Sequence, residues 1–313
     1  MKRVLKGIFA AALSVGLCFS TVGCGNTVKD GSKIEKCIVK IQPEKKEVQE
    51  IEVELYVNYT GSTIEHFKYL ANNGFYNGSK VSNATNYIEF GLLDSDGKTL
   101  DDKYDSIITN DYASKLKLGS SNRKRYTASN MIEGEFYKNG VQDKDGKGNP
   151  LTLDGALVLK RGLDDIYDEN GKYVEDSYNT GKGVFAFTFG TTDYFSSADE
   201  FAILGKVVKT DATDDKKSSY DRLKDLMTDN ASDVYYYTYH CTNKDHKCND
   251  YGHYFKKDGD DMYKSADGKN WTLMDAADND VKTFLEEFDK NGKYASVLPK
   301  TTMKITSVEF KKK

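Results

Sequence analysis

The chain has 313 residues, with 45 basic and 49 acidic side chains and a formal net charge of −4. No basic stripe stands out over the whole chain, so we do not expect nucleic acid to be the main partner. Apolar residues make up 38% of the sequence, including 22 tyrosines and 15 phenylalanines, which is enough for one medium-sized core with appended parts. Only three prolines occur, which argues against a long rigid linker.

The N-terminus has the pattern of a secretory signal. Three basic residues precede an apolar run over residues 8–19, which is shorter than the roughly 20 residues of a membrane-spanning helix. The sequence Thr21-Val22-Gly23-Cys24 resembles a bacterial lipobox, in which the cysteine is acylated, although Thr21 stands where leucine is usual. We therefore expect export and anchoring at the outer face of the bacterial cytoplasmic membrane through lipidated Cys24. Ordinary secretion with a free cysteine is the alternative.

Two strands and a helix are predicted next, after a polar tether. Residues 37–41 have the composition of a strand, and residues 51–57 alternate strictly with period two. Ser62 or Thr63 can cap a following helix. The helix is expected to end at Asn72-Asn73-Gly74, because glycine readily adopts the conformation that terminates helices.

The remaining elements alternate with polar segments. Residues 95–130 and 162–177 are polar and are expected to be inserted loops. The elements predicted after them are a strand at 183–189, a strand at 201–208, a helix at 220–227 capped by Ser218 or Ser219, a tyrosine-rich β segment at 233–275, a helix capped by Asp278 or Asn279, and a last strand at 303–310.

The order strand, strand, helix and then Gly74-Phe75-Tyr76-Asn77-Gly78 resembles the cyclophilin family of peptidyl-prolyl isomerases. Similar segments follow in the family's order: Gly134-Glu135-Phe136, Gly155 to Arg161 (similar to G-T-L-S-M-A and the asparagine after it), Asn179 to Phe185 and Leu204-Gly205-Lys206-Val207. The resemblance covers roughly residues 37–230 and 301–310, with insertions. It implies a mainly β fold, namely a closed eight-stranded antiparallel β-barrel with a helix at each end.

The expected organisation has five parts. They are a lipoprotein signal peptide (1–23), a tether (24–36), a cyclophilin-like barrel with insertions (37–230), a β segment rich in Tyr, Cys and His with a helix (231–300), and a closing strand with a basic tail (301–313). Cleavage of the signal would leave 42 basic and 49 acidic side chains, which gives a net charge of −7.

The resemblance also implies a reaction and the position of its catalytic residue. Cyclophilins accelerate rotation about X–Pro bonds, and the barrier to rotation is roughly 18–20 kcal/mol for peptide bonds in general. The family places an arginine beside the prolyl nitrogen, with proline in an apolar pocket. Aligned from the Gly74 turn, the family's His-Arg pair falls on Ser82-Asn83. Asn83 is therefore the catalytic position, and its neutral amide cannot replace a guanidinium.

The other groove positions follow from the same alignment. The family's Phe-Met pair falls on Tyr87 and Ile88, or on Ile88 and Glu89 if no residue is deleted. The remaining matches are Phe90 or Gly91 for a glutamine, Val184 for a second glutamine, Phe185 and Ala186 for two phenylalanines, Tyr194 and Phe195 for Trp-Leu, Phe201 for a histidine and Arg161 for an asparagine. The predicted substrate-binding set is Tyr87, Ile88, Phe185, Tyr194 and Phe195.

Cysteines and histidines cluster in the C-terminal β segment. His240, Cys241, His246 and Cys248 are residue types that bind zinc, but their spacing matches no zinc signature. A disulfide between Cys241 and Cys248 is the preferred interpretation for an exported protein. A metal site and free thiols are the alternatives. No cofactor is expected.

Two functions remain open from the sequence. The first is an exported cyclophilin-type isomerase that assists the folding of exported proteins and binds proline-containing peptides, with weak or absent activity because of Asn83. The second is a non-catalytic module that binds a peptide or partner on the same scaffold. A displaced cation from Arg123, Lys124, Arg125 or Arg161 could compensate for Asn83, although the first three are typical of a solvated loop. No G-x-S-x-G motif points to a hydrolase.

Overall fold

The computed structural model describes a defined part of the chain: residues 34–84, 86–116, 130–132, 134–139, 151–161, 166–167, 173–175, 181–230, 234–236, 254–258, 261–265, 269–275, 277, 282 and 296–311. The predicted signal peptide, Cys24, Arg123 to Arg125, the Cys241/Cys248 cluster with its histidines and the cap of the last predicted helix lie outside these residues.

The described strands are β1 (Ile34–Pro43), β2 (Gln49–Tyr56), β3 (Tyr87–Phe90), β4 (Asp154–Leu159), β5 (Ile166–Tyr167), β6 (Tyr173–Glu175), β7 (Phe185–Phe189), β8 (Ile203–Val207), β9 (Val234–Tyr236), β10 (Tyr254–Asp258), β11 (Asp261–Ser265), β12 (Thr272–Leu273), β13 (Ser296–Val297) and β14 (Met303–Phe310). The α-helices are α1 (Gly61–Asn72), α2 (Asp101–Ile107), α3 (Asn110–Leu116) and α4 (Ser219–Asp229).

Seven antiparallel strands form the main sheet, in the order β14-β1-β2-β8-β4-β7-β3. An irregular segment, residues 78–83, joins its two edges. Val81 N donates to Met303 O of β14 at 2.9 Å, and Ser82 N donates to Glu89 O of β3 at 2.9 Å. The sheet therefore closes into a barrel, and this segment takes the place of an eighth strand. The prediction of a mainly β antiparallel barrel is confirmed.

The barrel interior is the main core, and the strand pattern explains it. In β2 every second residue is buried, so Ile51, Val53 and Leu55 point inward and the glutamates between them point outward. Aromatic rings fill much of the remaining space, with Phe67 of α1 lying 4.8 Å from Phe185 of β7 between ring centroids. Alternation along the strands therefore sets which side chains can form an outer site.

Helices α1 and α4 cover opposite ends of the barrel. Phe67 of α1 packs against Phe310 at the end of β14, with ring centroids 6.0 Å apart. At the other end, Ser219 of α4 accepts a hydrogen bond of 2.9 Å from the backbone N of Glu52. The Ser218 side chain caps α4 by accepting from Asp221 N, as predicted.

The start of α1 differs from the predicted cap. The helix begins at Gly61, and the residue before it, Thr60, makes no side-chain capping bond. The carboxylate of Glu135 instead accepts from Ser62 N (3.2 Å) and Thr63 N (2.7 Å). Sequence proximity suggested Ser62 or Thr63 as caps, whereas a residue more than 70 positions away supplies the acceptor.

The insertion at 95–130 is not entirely a loop, because it contains α2 and α3. Acidic residues in the first turn of each helix favour helix formation. Tyr104, Ile108 and Tyr112, spaced four apart, turn toward the core and are buried. The helical spacing of these three residues was overlooked because the residues between them are mostly polar, which suggested a loop.

A second sheet has the strand order β12-β11-β10-β9-β13, and a two-stranded sheet pairs β5 with β6. Strands β9 to β12 of the second sheet lie within residues 233–275, for which a β segment was predicted, whereas β13 lies beyond them. Tyr254 of β10 joins it to the barrel loops, since its hydroxyl donates to Gly97 O (3.0 Å). No helix of the described residues is long and apolar enough to cross a membrane, and these residues contain no group of three metal-binding side chains.

Candidate functional site

A second apolar cluster lies on the outer face of the barrel, over strands β3, β7, β4 and β8. Tyr87 of β3 packs at right angles against Phe195, with ring centroids 5.0 Å apart, and lies 6.3 Å from Tyr194. Phe201 packs 4.9 Å from Phe195. The four rings, which we call the outer aromatic cluster, come from two parts of the sequence, β3 and residues 194–201, and meet at one place.

Local structure explains how each ring reaches the cluster. Tyr87 lies on β3, where residues with odd numbers face outward and Ile88 faces the interior. Tyr194 and Phe195 lie in a turn held by Thr192, whose side-chain oxygen accepts from Phe195 N at 2.9 Å. The Tyr194 hydroxyl donates to the backbone carbonyl of Arg161 and is thereby fixed against the end of β4.

The five predicted substrate-binding residues do not all meet. Tyr87, Tyr194 and Phe195 lie together in the outer aromatic cluster. Ile88 and Phe185 are fully buried in the barrel interior, on the other side of the sheet. On β7 the residue that belongs to the outer cluster is Ala186. The difference follows from the period of two along a strand, which sends neighbouring residues to opposite faces.

Asn83 lies beside this cluster, on the segment that closes the barrel. Its backbone oxygen accepts from Glu89 N at 3.0 Å, and its side chain hydrogen bonds with Tyr87. Only 2% of Asn83 is exposed. The predicted position of the catalytic arginine therefore holds a buried, neutral amide that already has partners.

A buried ion pair, which the sequence analysis did not identify, lies next to Asn83. Lys160 Nζ bonds to Glu89 Oε2, while Ser82 Oγ donates to Glu89 Oε1 at 2.7 Å. Burial is the largest influence on Lys160 and would lower its pKa, but the charge and hydrogen bond of Glu89 and the contribution of Tyr194 together raise the pKa, so the lysine is a cation. The sequence held a signal, because a charge within the otherwise apolar β3 and another directly after the apolar end of β4 have to be paired when buried.

The ammonium of Lys160 also contacts two rings of the cluster. It lies 4.7 Å from the ring centroid of Tyr194 and 5.9 Å from that of Tyr87. Such cation–π contacts stabilise the cation by about 0.5–2 kcal/mol, depending on how far it is desolvated. The positive charge of this face therefore lies between two of the residues predicted to line the proline pocket.

Arg161 packs against the Phe201 side of the outer aromatic cluster. Its guanidinium lies 4.8 Å from the ring of Phe201 and 5.5 Å from the ring of Phe136. Its Nε donates to Glu200 O at 2.9 Å. Arg161 thus packs against two aromatic rings at the position where the family resemblance has an asparagine.

The cluster combines apolar rings with a positive charge, but it offers little proton or group transfer. Burial raises the pKa of both Tyr87 and Tyr194, so neither hydroxyl ionises near neutral pH. The rings provide apolar contact, while Lys160 provides a positive charge. This chemistry suits recognition of an apolar or imino side chain next to a peptide carbonyl, and it needs no covalent step.

Comparisons with known proteins give the following findings. No protein-family model matches the chain, and no curated protein matches it. Among solved structures, a cyclophilin-type peptidyl-prolyl cis-trans isomerase of Cryptosporidium parvum is similar at 12% identity over 62% of this chain and 85% of that chain, with a TM-score of 0.31. The structure of the same enzyme in the presence of the dipeptide Ala-Pro is similar at 15% identity over 60% of this chain and 85% of that chain, with a TM-score of 0.29.

The cyclophilin of Mimivirus is also similar, at 15% identity over 65% of this chain and 82% of that chain, with a TM-score of 0.34. All three likenesses are weak in identity and in TM-score.

Proposed function

We propose that this protein is a cyclophilin-type peptidyl-prolyl isomerase-like protein that binds proline-containing segments of exported proteins at the outer aromatic cluster. The observation that carries the proposal is the meeting of Tyr87, Tyr194 and Phe195 beside Asn83. These residues were selected by alignment to a proline pocket, and Tyr87 lies more than 100 positions before Tyr194 and Phe195 in the sequence. Their meeting on one face supports the alignment from which the pocket was predicted.

We expect the isomerase activity to be weak, for two structural reasons. Asn83 offers a neutral amide where a cation would stabilise the twisted peptide bond. In addition, only 4% of Tyr87 and 6% of Tyr194 are exposed, so a proline ring has to displace side chains that already pack together. Both features lower the rate, the first through the transition state and the second through binding.

The anchoring of the protein is part of the proposal. Cys24 follows a lipobox-like sequence, and an acyl chain contributes about 0.8 kcal/mol per buried methylene to membrane attachment. The protein would then act on substrates as they leave the cytoplasmic membrane. Mass spectrometry of the mature N-terminus tests this directly, because a lipidated terminus at Cys24 supports anchoring and an unmodified one contradicts it.

An isomerisation assay on a proline peptide tests the proposed activity. We expect acceleration above the uncatalysed rate that is lost in Tyr194→Ala, because this substitution removes one wall of the cluster. We also expect Asn83→Arg to increase the rate, since it restores a cation at the aligned position. Peptide binding without acceleration would favour the non-catalytic module, whereas the absence of binding would contradict the proposal.

A further inference from the structure

Three substitutions relative to the cyclophilin pattern lie on the same outer face. The cyclophilin pattern has an arginine where this chain has Asn83, the second of two phenylalanines where it has Ala186, and an alanine where it has Lys160. A cation is thus missing from the segment that closes the barrel and present directly after β4, and an aromatic ring is missing from β7. The three positions lie close together, and the changes are compatible with one another: the small side chain of Ala186 gives Lys160 room beside Asn83.

Strand register shows how they fit. Glu89 of β3 is the direct partner of Ala186 on β7, and Ala186 is the direct partner of Val158 on β4. Lys160 follows two residues after Val158, so it shares that face, and its N donates to Val184 O at 2.9 Å to continue the ladder. The small side chain of Ala186 leaves room for Lys160 to cross β7 and reach Glu89. A phenylalanine at this position would fill that space.

The two charges of the pair are not equally placed. The Glu89 side chain is fully buried, whereas 16% of the Lys160 side chain is exposed. Lys160 is therefore the partly accessible partner of the pair, and its ammonium lies over both Tyr87 and Tyr194. Glu89 is held from below by Ser82 and fixes the position of the ammonium.

The chemistry of prolyl rotation gives this cation a role. Twisting the X–Pro bond ends the amide resonance and localises the lone pair on the prolyl nitrogen, so a cation placed there favours the twisted state. No bond is formed or broken and no proton has to move. We infer that Lys160 supplies the positive charge of the proposed isomerase site in place of residue 83, and that Glu89 positions this charge and weakens it. The inference rests on the proposed function.

Arg161 is a less suitable source of the charge. Its guanidinium is stacked on Phe136 and Phe201, and its Nε is bonded to the carbonyl of Glu200. Lys160 instead contacts the two tyrosines of the predicted proline pocket.

The experiment is exchange NMR on an Ala-Pro peptide with the purified full-length protein, because one sample reports both binding and the cis–trans rate. The variants are Lys160→Met, the double variant Glu89→Gln/Lys160→Met and Lys160→Arg. The double variant removes both charges and keeps side-chain volume, so it avoids a buried unpaired carboxylate. The matched control is Lys209→Met, because Lys209 also pairs with a carboxylate, Asp154 (2.7 Å), and lies 4.1 Å from a tyrosine ring.

We expect the Met variants to lower the catalysed rate at least about 10-fold, since removal of one charge-stabilising donor commonly costs about 10²- to 10³-fold. Peptide affinity is expected to change by less than about threefold, with Lys160→Arg retaining activity and Lys209→Met matching the wild type. Wild-type rates in both Met variants would overturn the inference. If the wild type binds the peptide without accelerating the exchange, the role of Lys160 is overturned but the proposed peptide binding stands. If the wild type does not bind the peptide, the proposed function itself is overturned.

Discussion

The buried imidazole of His66 makes the stability of the protein depend on pH. His66 lies on α1 with no exposed surface. Its Nε2 lies 3.1 Å from the carbonyl of Lys182, and its Nδ1 lies 3.1 Å from the Tyr112 hydroxyl. Since a carbonyl only accepts hydrogen bonds, Nε2 carries the proton and Nδ1 accepts from Tyr112. A second proton would place a charge in this buried site.

Burial therefore lowers the pKa of His66 from 6.5 to about 4, although the bond to the Lys182 carbonyl acts in the opposite direction. Above pH 6.5 the imidazole is neutral in both the folded and the unfolded chain, and the full stability is present. Between pH 6.5 and 4 the unfolded chain binds a proton that the folded chain does not, so the free energy of unfolding falls as the pH falls. Each unit of pKa difference corresponds to about 1.4 kcal/mol, which gives a total loss of about 3 kcal/mol.

Urea denaturation of the wild type and of His66→Gln, at several pH values from 7 to 4.5, measures this effect. Glutamine can donate to the carbonyl and accept from the hydroxyl, but it does not titrate. Subtracting the two curves removes the contributions of other groups, such as Glu135, whose pKa burial raises. We expect the difference to change by about 2 kcal/mol over this range, with the wild type losing more stability. Parallel curves would refute the assignment of a buried neutral imidazole.

Two further substitutions test the packing of the scaffold by urea denaturation. Glu135→Ala should lower the free energy of unfolding by about 1–3 kcal/mol, because two N–H groups of α1 lose their acceptor. Its control is Glu65→Ala, a half-buried glutamate on α1 that pairs with Lys115, and equal effects of the two would contradict the capping role. Gly205→Ala should cost about 3 kcal/mol or more, since a Cβ there would lie 2.0 Å from the carbonyl oxygen of Glu54. Gly61→Ala meets nothing within 4 Å, so a Gly205 variant as stable as that control would contradict the strand contact.

Local patterns made the barrel predictable. The strict alternation of residues 51–57 predicted a strand with one buried face, and β2 has this burial. The cap of α4 at Ser218 was equally local. The family resemblance carried further. The register of the 74–78 turn selected Tyr87, the match that follows the strand at 183–189 selected Tyr194 and Phe195, and the structure brings the three together.

Long-range contacts were not predictable in this way. The acceptor that caps α1 is Glu135, and the partner of Glu89 is Lys160, in both cases about 70 residues away. A single sequence shows that a charge lies in an apolar strand, but it does not show which opposite charge folding will bring to it. The inward direction of Phe185 was missed for a different reason. The alignment identified the strand on which Phe185 lies, but it did not show which residues of that strand face the barrel interior.

The central claim is that the outer aromatic cluster binds proline-containing peptides and promotes their isomerisation. The most direct measurement is the cis–trans exchange rate of an X–Pro peptide with the full-length wild type, with Tyr194→Ala, and with Tyr263→Ala as a tyrosine control in the second sheet. Circular dichroism checks that each variant is folded. We predict acceleration by the wild type and by Tyr263→Ala, with a loss of at least about 10-fold in Tyr194→Ala. Equal rates in the wild type and Tyr194→Ala, or no binding by any of them, would contradict the claim.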